Sequence, residues 1–143
     1  MKKALRGPGI VSVMLVALLL AGCAAPVSVA ERTAPEFPGS LTQAQLENLE
    51  LGEPAAFWLQ AGSRLALVTW GSSSCPAVVT RMDARGSDAI ELRVESSGGS
   101  GPCTADMAPT THELEVPESV TRRPVTLALH YSDGPDARTM VLD

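Results

Sequence analysis

The side chains that could do covalent chemistry gather around one short string. Ser72, Ser73 and Ser74 stand in a row before Cys75, and the chain holds two histidines, His112 and His130. A serine nucleophile needs an imidazole within hydrogen-bond reach, itself oriented by a carboxylate. Either histidine could act as the base, with Asp106 as the orienting acid. No G-x-S-x-G elbow surrounds the serines, and serine-rich turns are common loops. A small hydrolase is therefore the alternative, and no catalytic residue is assigned. Metal chemistry fares no better. There is no C-x-x-C, and two histidines in separate segments make an incomplete zinc site. Asp133-Gly134-Pro135-Asp136 lacks the converging carboxylates of a calcium loop. No metal and no other cofactor is expected. Recognition is the remaining use: Trp70 lies just before the serines and reads either as a core ring or as the floor of a shallow ligand site. Trp70, Ser72, Ser73, Ser74 and Asp106 are the candidate binding residues.

These residues must be held by the elements around them. From Ala55 onward the apolar pattern has a period of two, the mark of half-buried strands. Strands are predicted over Ala56–Gln60, Arg64–Trp70, Ala77–Asp83, Ala89–Glu95, Thr111–Val116, Pro124–Tyr131 and Thr139–Leu142. Ala89–Glu95 alternates cleanly, with Ile90, Leu92 and Val94 opposite Glu91, Arg93 and Glu95. His112 shares parity with Leu114 and Val116, which suggests a strand-end residue capping the core, while His130 points outward. Glu91, Glu95, Glu113, Glu115 and Glu118 read as an acidic strand surface whose strands would repel if paired, so separation or interleaved arginines (Arg93, Arg122, Arg123) are expected. Turns fall every eight to twelve residues with no long helical pattern between them. The expected fold is mostly β: a small antiparallel sandwich or barrel-like meander. One short helix precedes it, with Ser40 and Gln43 as a capping box, Leu41–Glu50 as the body and Gly52 as the stop.

The N-terminus carries an address. Met1–Arg6 is basic, Ile10–Ala21 is apolar and too short to span a bilayer, and Leu20-Ala21-Gly22-Cys23 follows. This segment resembles that of bacterial lipoproteins, whose lipobox is an aliphatic residue, two small residues and a cysteine. The resemblance implies cleavage after Gly22, with Cys23 lipidated as the first residue and two acyl chains giving stable anchoring. Residues 1–22 then form a signal peptide, 23–39 the lipidated cysteine and a flexible tether, 40–53 the helix, and 54–143 the β domain.

With Cys23 used as the anchor, Cys75 and Cys103 remain, in an exported chain where thiols oxidise. A disulfide between them closes a separation of 28 residues, for which chain entropy suggests about 3–4 kcal/mol. It would pin the loose Ser96–Pro102 loop against the Trp70–Pro76 turn. The 143-residue chain has a formal charge of −5, but all its lysines lie before Cys23. The eight arginines and 16 acids after that point balance to −8. Such a body is a poor partner for nucleic acid or an anionic membrane surface. Trp70-Gly71-Ser72-Ser73-Ser74-Cys75-Pro76 and Cys103-Thr104-Ala105-Asp106 resemble a group of small lipoproteins of high-GC Gram-positive bacteria. That resemblance covers about Leu65–Leu129 and carries no activity with it. The expected protein is a membrane-anchored, extracytoplasmic, non-enzymatic binding module whose partner is an envelope protein or a small molecule. An accessory subunit of a membrane complex is a further alternative.

Overall fold

The computed structural model describes residues 24–134 and 136–143. The segment expected to be a signal peptide ending in a lipobox, through Cys23, lies outside the described residues. The elements run β1 (Arg32–Ala34), α1 (Gln43–Glu47), β2 (Ala55–Gln60), β3 (Arg64–Gly71), β4 (Ala77–Ala84), β5 (Ala89–Ser96), β6 (Ala108–Glu115), β7 (Val125–Tyr131) and β8 (Ala137–Leu142). They form two four-stranded sheets, β1-β6-β3-β2 and β4-β5-β7-β8, and do not close into a barrel.

Period-two alternation builds the interior. Leu65 and Leu67 of β3 and Leu114 of β6 meet Val79 of β4, Ile90, Leu92 and Val94 of β5, and Leu127 and Leu129 of β7, all essentially buried. Each such side chain taken from water stabilises by about 1.5–3 kcal/mol. A bulge between Val79 and Arg81 shifts the phase of β4, so that Val79 and Met82 both reach the core while Arg81 stays outside.

The connectivity departs from a simple meander. β5 and β7 pair in parallel, whereas every other neighbouring pair is antiparallel. A parallel pair cannot be joined by a tight turn and needs a long crossover. Here the crossover runs out to the other sheet, where β6 pairs with β1 and β3. The two acidic strands β5 and β6 therefore sit in different sheets. Their partners are nearby arginines: Glu113 meets Arg32 and Arg64 at 3.1 Å each, Glu91 meets Arg85 at 2.7 Å, and Glu95 meets Arg93 at 3.5 Å.

The segment expected to be a flexible tether is part of the fold from Val29 onward. Val29 N donates to Val79 O at 2.8 Å and Glu31 N to Glu113 O at 2.9 Å. Arg32–Ala34 then forms the edge strand β1 on β6. No period could announce this strand, because three residues are too few to show one. β1 and β2 occupy opposite edges of their sheet, so the chain between them must cross a face. The inner face is filled by the second sheet, which leaves the outer one. Glu36 O there accepts from Thr111 Oγ1 at 2.5 Å, and Glu53 O accepts from Trp70 Nε1 at 2.9 Å. This crossing accounts for β3 being buried on both sides, with Ala66 and Val68 as inaccessible as Leu65 and Leu67.

The helix inside that crossing is shorter than the ten residues expected and does not start from Ser40. Thr42 is the N-cap, and its backbone N–H donates to the Gln45 side chain at 2.9 Å. The capping box is thus Thr42–Gln45, one of two hydroxyl–glutamine pairs at the same spacing (Ser40–Gln43, Thr42–Gln45).

His112 is also placed differently from its expected strand-end position. β6 begins at Ala108, so His112 lies mid-strand opposite Leu67 and is fully buried. Its Nε2 is 3.0 Å from Thr69 Oγ1, and Nδ1 has no partner. Thr69 Oγ1 also reaches Thr110 O at 3.3 Å; with the hydroxyl proton assigned to that carbonyl, Nε2–H donates to Thr69 and no buried N–H is left without a partner. Burial lowers the imidazole pKa to about 4.

Candidate functional site

Two irregular segments meet at one end of the sandwich. β3 ends at Gly71 and β4 begins at Ala77, and the intervening turn closes with Cys75 N donating to Ser72 O at 3.3 Å. Pro76 lacks the N–H that would extend β4 backward. The other segment runs from Ser96 at the end of β5 to Ala108 at the start of β6. Cys75 and Cys103 join the two as a disulfide with Cα atoms 5.6 Å apart. Gly98 packs directly on this bridge: a Cβ there would lie 2.7 Å from Cys103 Sγ and 2.9 Å from Cys75 Cβ. Only glycine allows the loop so close to the sulfurs.

A hydroxyl network reinforces the bridge. Ser72 Oγ lies 2.7 Å from Thr104 Oγ1 and 3.2 Å from Ser74 Oγ. Thr104 N donates to Ser74 Oγ at 2.9 Å. Asp106 closes the knot, its Oδ1 accepting from Ser73 N at 3.1 Å and from Thr104 Oγ1. The Ser73 hydroxyl foremost, then the Thr104 hydroxyl and the Ser73 backbone N–H, hold the Asp106 carboxyl down at about 2, so it is ionised throughout the physiological range.

The structure thus brings Ser72, Ser73, Ser74 and Asp106 together through Thr104, which sequence reasoning had not singled out. It does not bring them to an imidazole. The hydrogen bonds of the three serines run to Thr104, Asp106 and one another, and Ser74 Oγ also neighbours Cys75 Sγ. His112 is sealed in the core against Thr69, and His130 is exposed on β7 of the second sheet. The Ser–His–Asp arrangement is therefore not formed among the described residues. No group of three or more His, Cys, Asp or Glu side chains converges as a metal site among them either.

Trp70 stands on the outer-face parity of β3, apart from the core cluster that Trp58 packs against. Its ring meets Phe37 edge-on at a centroid distance of 5.7 Å, and its Nε1 is held by Glu53 O. It lines a shallow depression of about 340 Å³ together with Cys75, Cys103 and Tyr131. Glu95 and Asp133 line the same hollow. Burial raises the Tyr131 pKa, with the charges of Asp133 and Glu53 adding to the rise and Arg138 opposing it. Tyr131 is the chain's single tyrosine, at a strand end before an Asp-Gly turn. That is the one sequence signal that could have marked it.

Comparison of the chain with protein-family models, with curated proteins and with solved structures finds no match.

Proposed function

We propose that this chain is a lipid-anchored, non-enzymatic binding module of the bacterial cell envelope, held by Cys23 and engaging its partner with the disulfide end. The observation that supports the binding surface is the preorganised loop pair: one disulfide and the Ser72–Ser74, Thr104, Asp106 network fix two irregular segments on a rigid sandwich. Fixed loops lose little entropy on binding, and that is where recognition is usually placed. The anchor rests on the lipobox. Six peptide links from Cys23 to Val29, where hydrogen bonding to the fold begins, span at most about 20 Å. The module would therefore sit close to its membrane and meet partners at or near the bilayer. The hydrolase alternative draws no support from the hydroxyl network, which has no imidazole in it.

Photocrosslinking in intact cells tests the role. A photoreactive residue at Thr104 is expected to capture a discrete partner, and one at Thr139 on exposed β8 is not. Equal capture from both positions, or from neither, would remove the binding surface. Cys23→Ala is expected to release the protein from the membrane fraction, and its retention there would remove the anchor.

A further inference from the structure

We propose that the hollow between Trp70 and Tyr131 binds a protonated or quaternary amine. This inference rests on the binding role just proposed and names the ligand chemistry for it. Both aromatic residues line the 340 Å³ depression, and both also line an adjoining one of about 470 Å³. Volumes of this size suit small ligands. Trp70 is already oriented by Phe37 and by its bond to Glu53 O, so its ring need not be immobilised on binding.

The charges around the rings select the ligand. Asp133 borders both depressions and has no ion pair among the described residues. Glu95, which also meets Arg93 at 3.5 Å, borders the first, and no cationic residue lines that hollow among the described residues, so Asp133 is the unpaired carboxylate there. The guanidinium bordering the second is Arg138, and it is paired with Glu53. Aromatic faces attract cations through the ring quadrupole, and the two carboxylates add attraction of the same sign. An anionic ligand would meet repulsion at both. A neutral sugar could stack on the rings, but it would gain nothing from the Asp133 and Glu95 charges.

The test titrates choline into the full chain with its disulfide intact and follows the Trp70 and Tyr131 ring resonances by NMR. The control is 3,3-dimethylbutanol, the uncharged isostere of choline. Choline is expected to saturate the shifts at millimolar concentration, with the isostere about tenfold weaker. Tyr131→Leu and Asp133→Asn are each expected to weaken choline about fivefold, the scale of one exposed cation–π or charge contact, and Thr139→Ala to leave it unchanged. Shifts absent with choline, or equal with choline and its isostere, overturn the inference; so does stronger binding of methyl glucoside, which would mark a sugar site. If choline fails while Thr104 still captures a partner in cells, the ligand class falls and the binding role stands. If choline binds but Thr104 captures nothing, the amine site stands without that partner.

Discussion

Acidification should destabilise this protein through one buried ring. His112 is fully buried, bonded only to Thr69, and its pKa is lowered from 6.5 to about 4. The ring is therefore neutral in the fold and protonates readily only when the chain is unfolded. Above about pH 6.5 it is neutral in both states, and the full stability is present. As pH falls below 6.5, the unfolded chain gains a proton that the fold refuses, and stability declines until the buried ring itself titrates near pH 4. A difference of this size corresponds to about 3 kcal/mol, a large share of the 5–15 kcal/mol typical of a domain. At about 4–8 °C per kcal/mol, the melting midpoint should drop on the order of 15 °C across that window. The assay is thermal or urea unfolding followed by tryptophan fluorescence at steps from pH 8 to pH 4. His112→Leu is the control, because Thr69 keeps its bond to Thr110 O and is not orphaned. Carboxylates in ion pairs titrate in both proteins, so the difference between the two curves is the readout. The variant should lose most of the decline between pH 6.5 and 4; an equally steep decline in the variant would refute the role given to His112.

Three further outcomes follow from the packing. Replacing Cys75 and Cys103 together by serine should cost about 3–4 kcal/mol in urea unfolding for a 28-residue separation, and should also abolish capture from Thr104. Gly98→Ala should destabilise by about 1–3 kcal/mol through the clash with the bridge; in a double-mutant cycle most of that cost should vanish once both cysteines are serine. A fragment of residues 54–143 should fail to give a dispersed amide NMR spectrum. It lacks β1 and the crossing segment, which exposes Ala66 and Val68, with about 1.5–3 kcal/mol lost at Val68 alone.

The strands were largely legible in the residues because a strand's two faces alternate locally. Ile90, Leu92 and Val94 face the core as their period says, and the leucines of β7 do the same. The sharp apolar run of β3 also read as a strand, but its second buried face had no visible cause in the sequence. The cover comes from residues between β1 and β2, which are distant from β3 in the chain. His112 had the right parity and the wrong depth, because depth depends on where β6 starts and on what the other sheet brings over it. The serines and Asp106 were identified as candidates, yet Thr104, which ties them together, looked like any loop threonine. Tyr131 packs against the core with Val125, Leu127 and Leu129, and its second place, lining the hollow beside Trp70, depends on segments distant in the chain.

Local sequence alone thus carries the period-two strands, the pairing of Cys75 with Cys103 and the acidic balance of the body. All of these are properties of residue type and short spacing. Only the tertiary structure decides that β5 lies parallel to β7, that β1 joins the sheet and that the serines meet Thr104 rather than an imidazole. Those outcomes depend on which segments meet across long stretches of chain, and an alternating strand specifies which of its faces is buried but not which strand lies beside it.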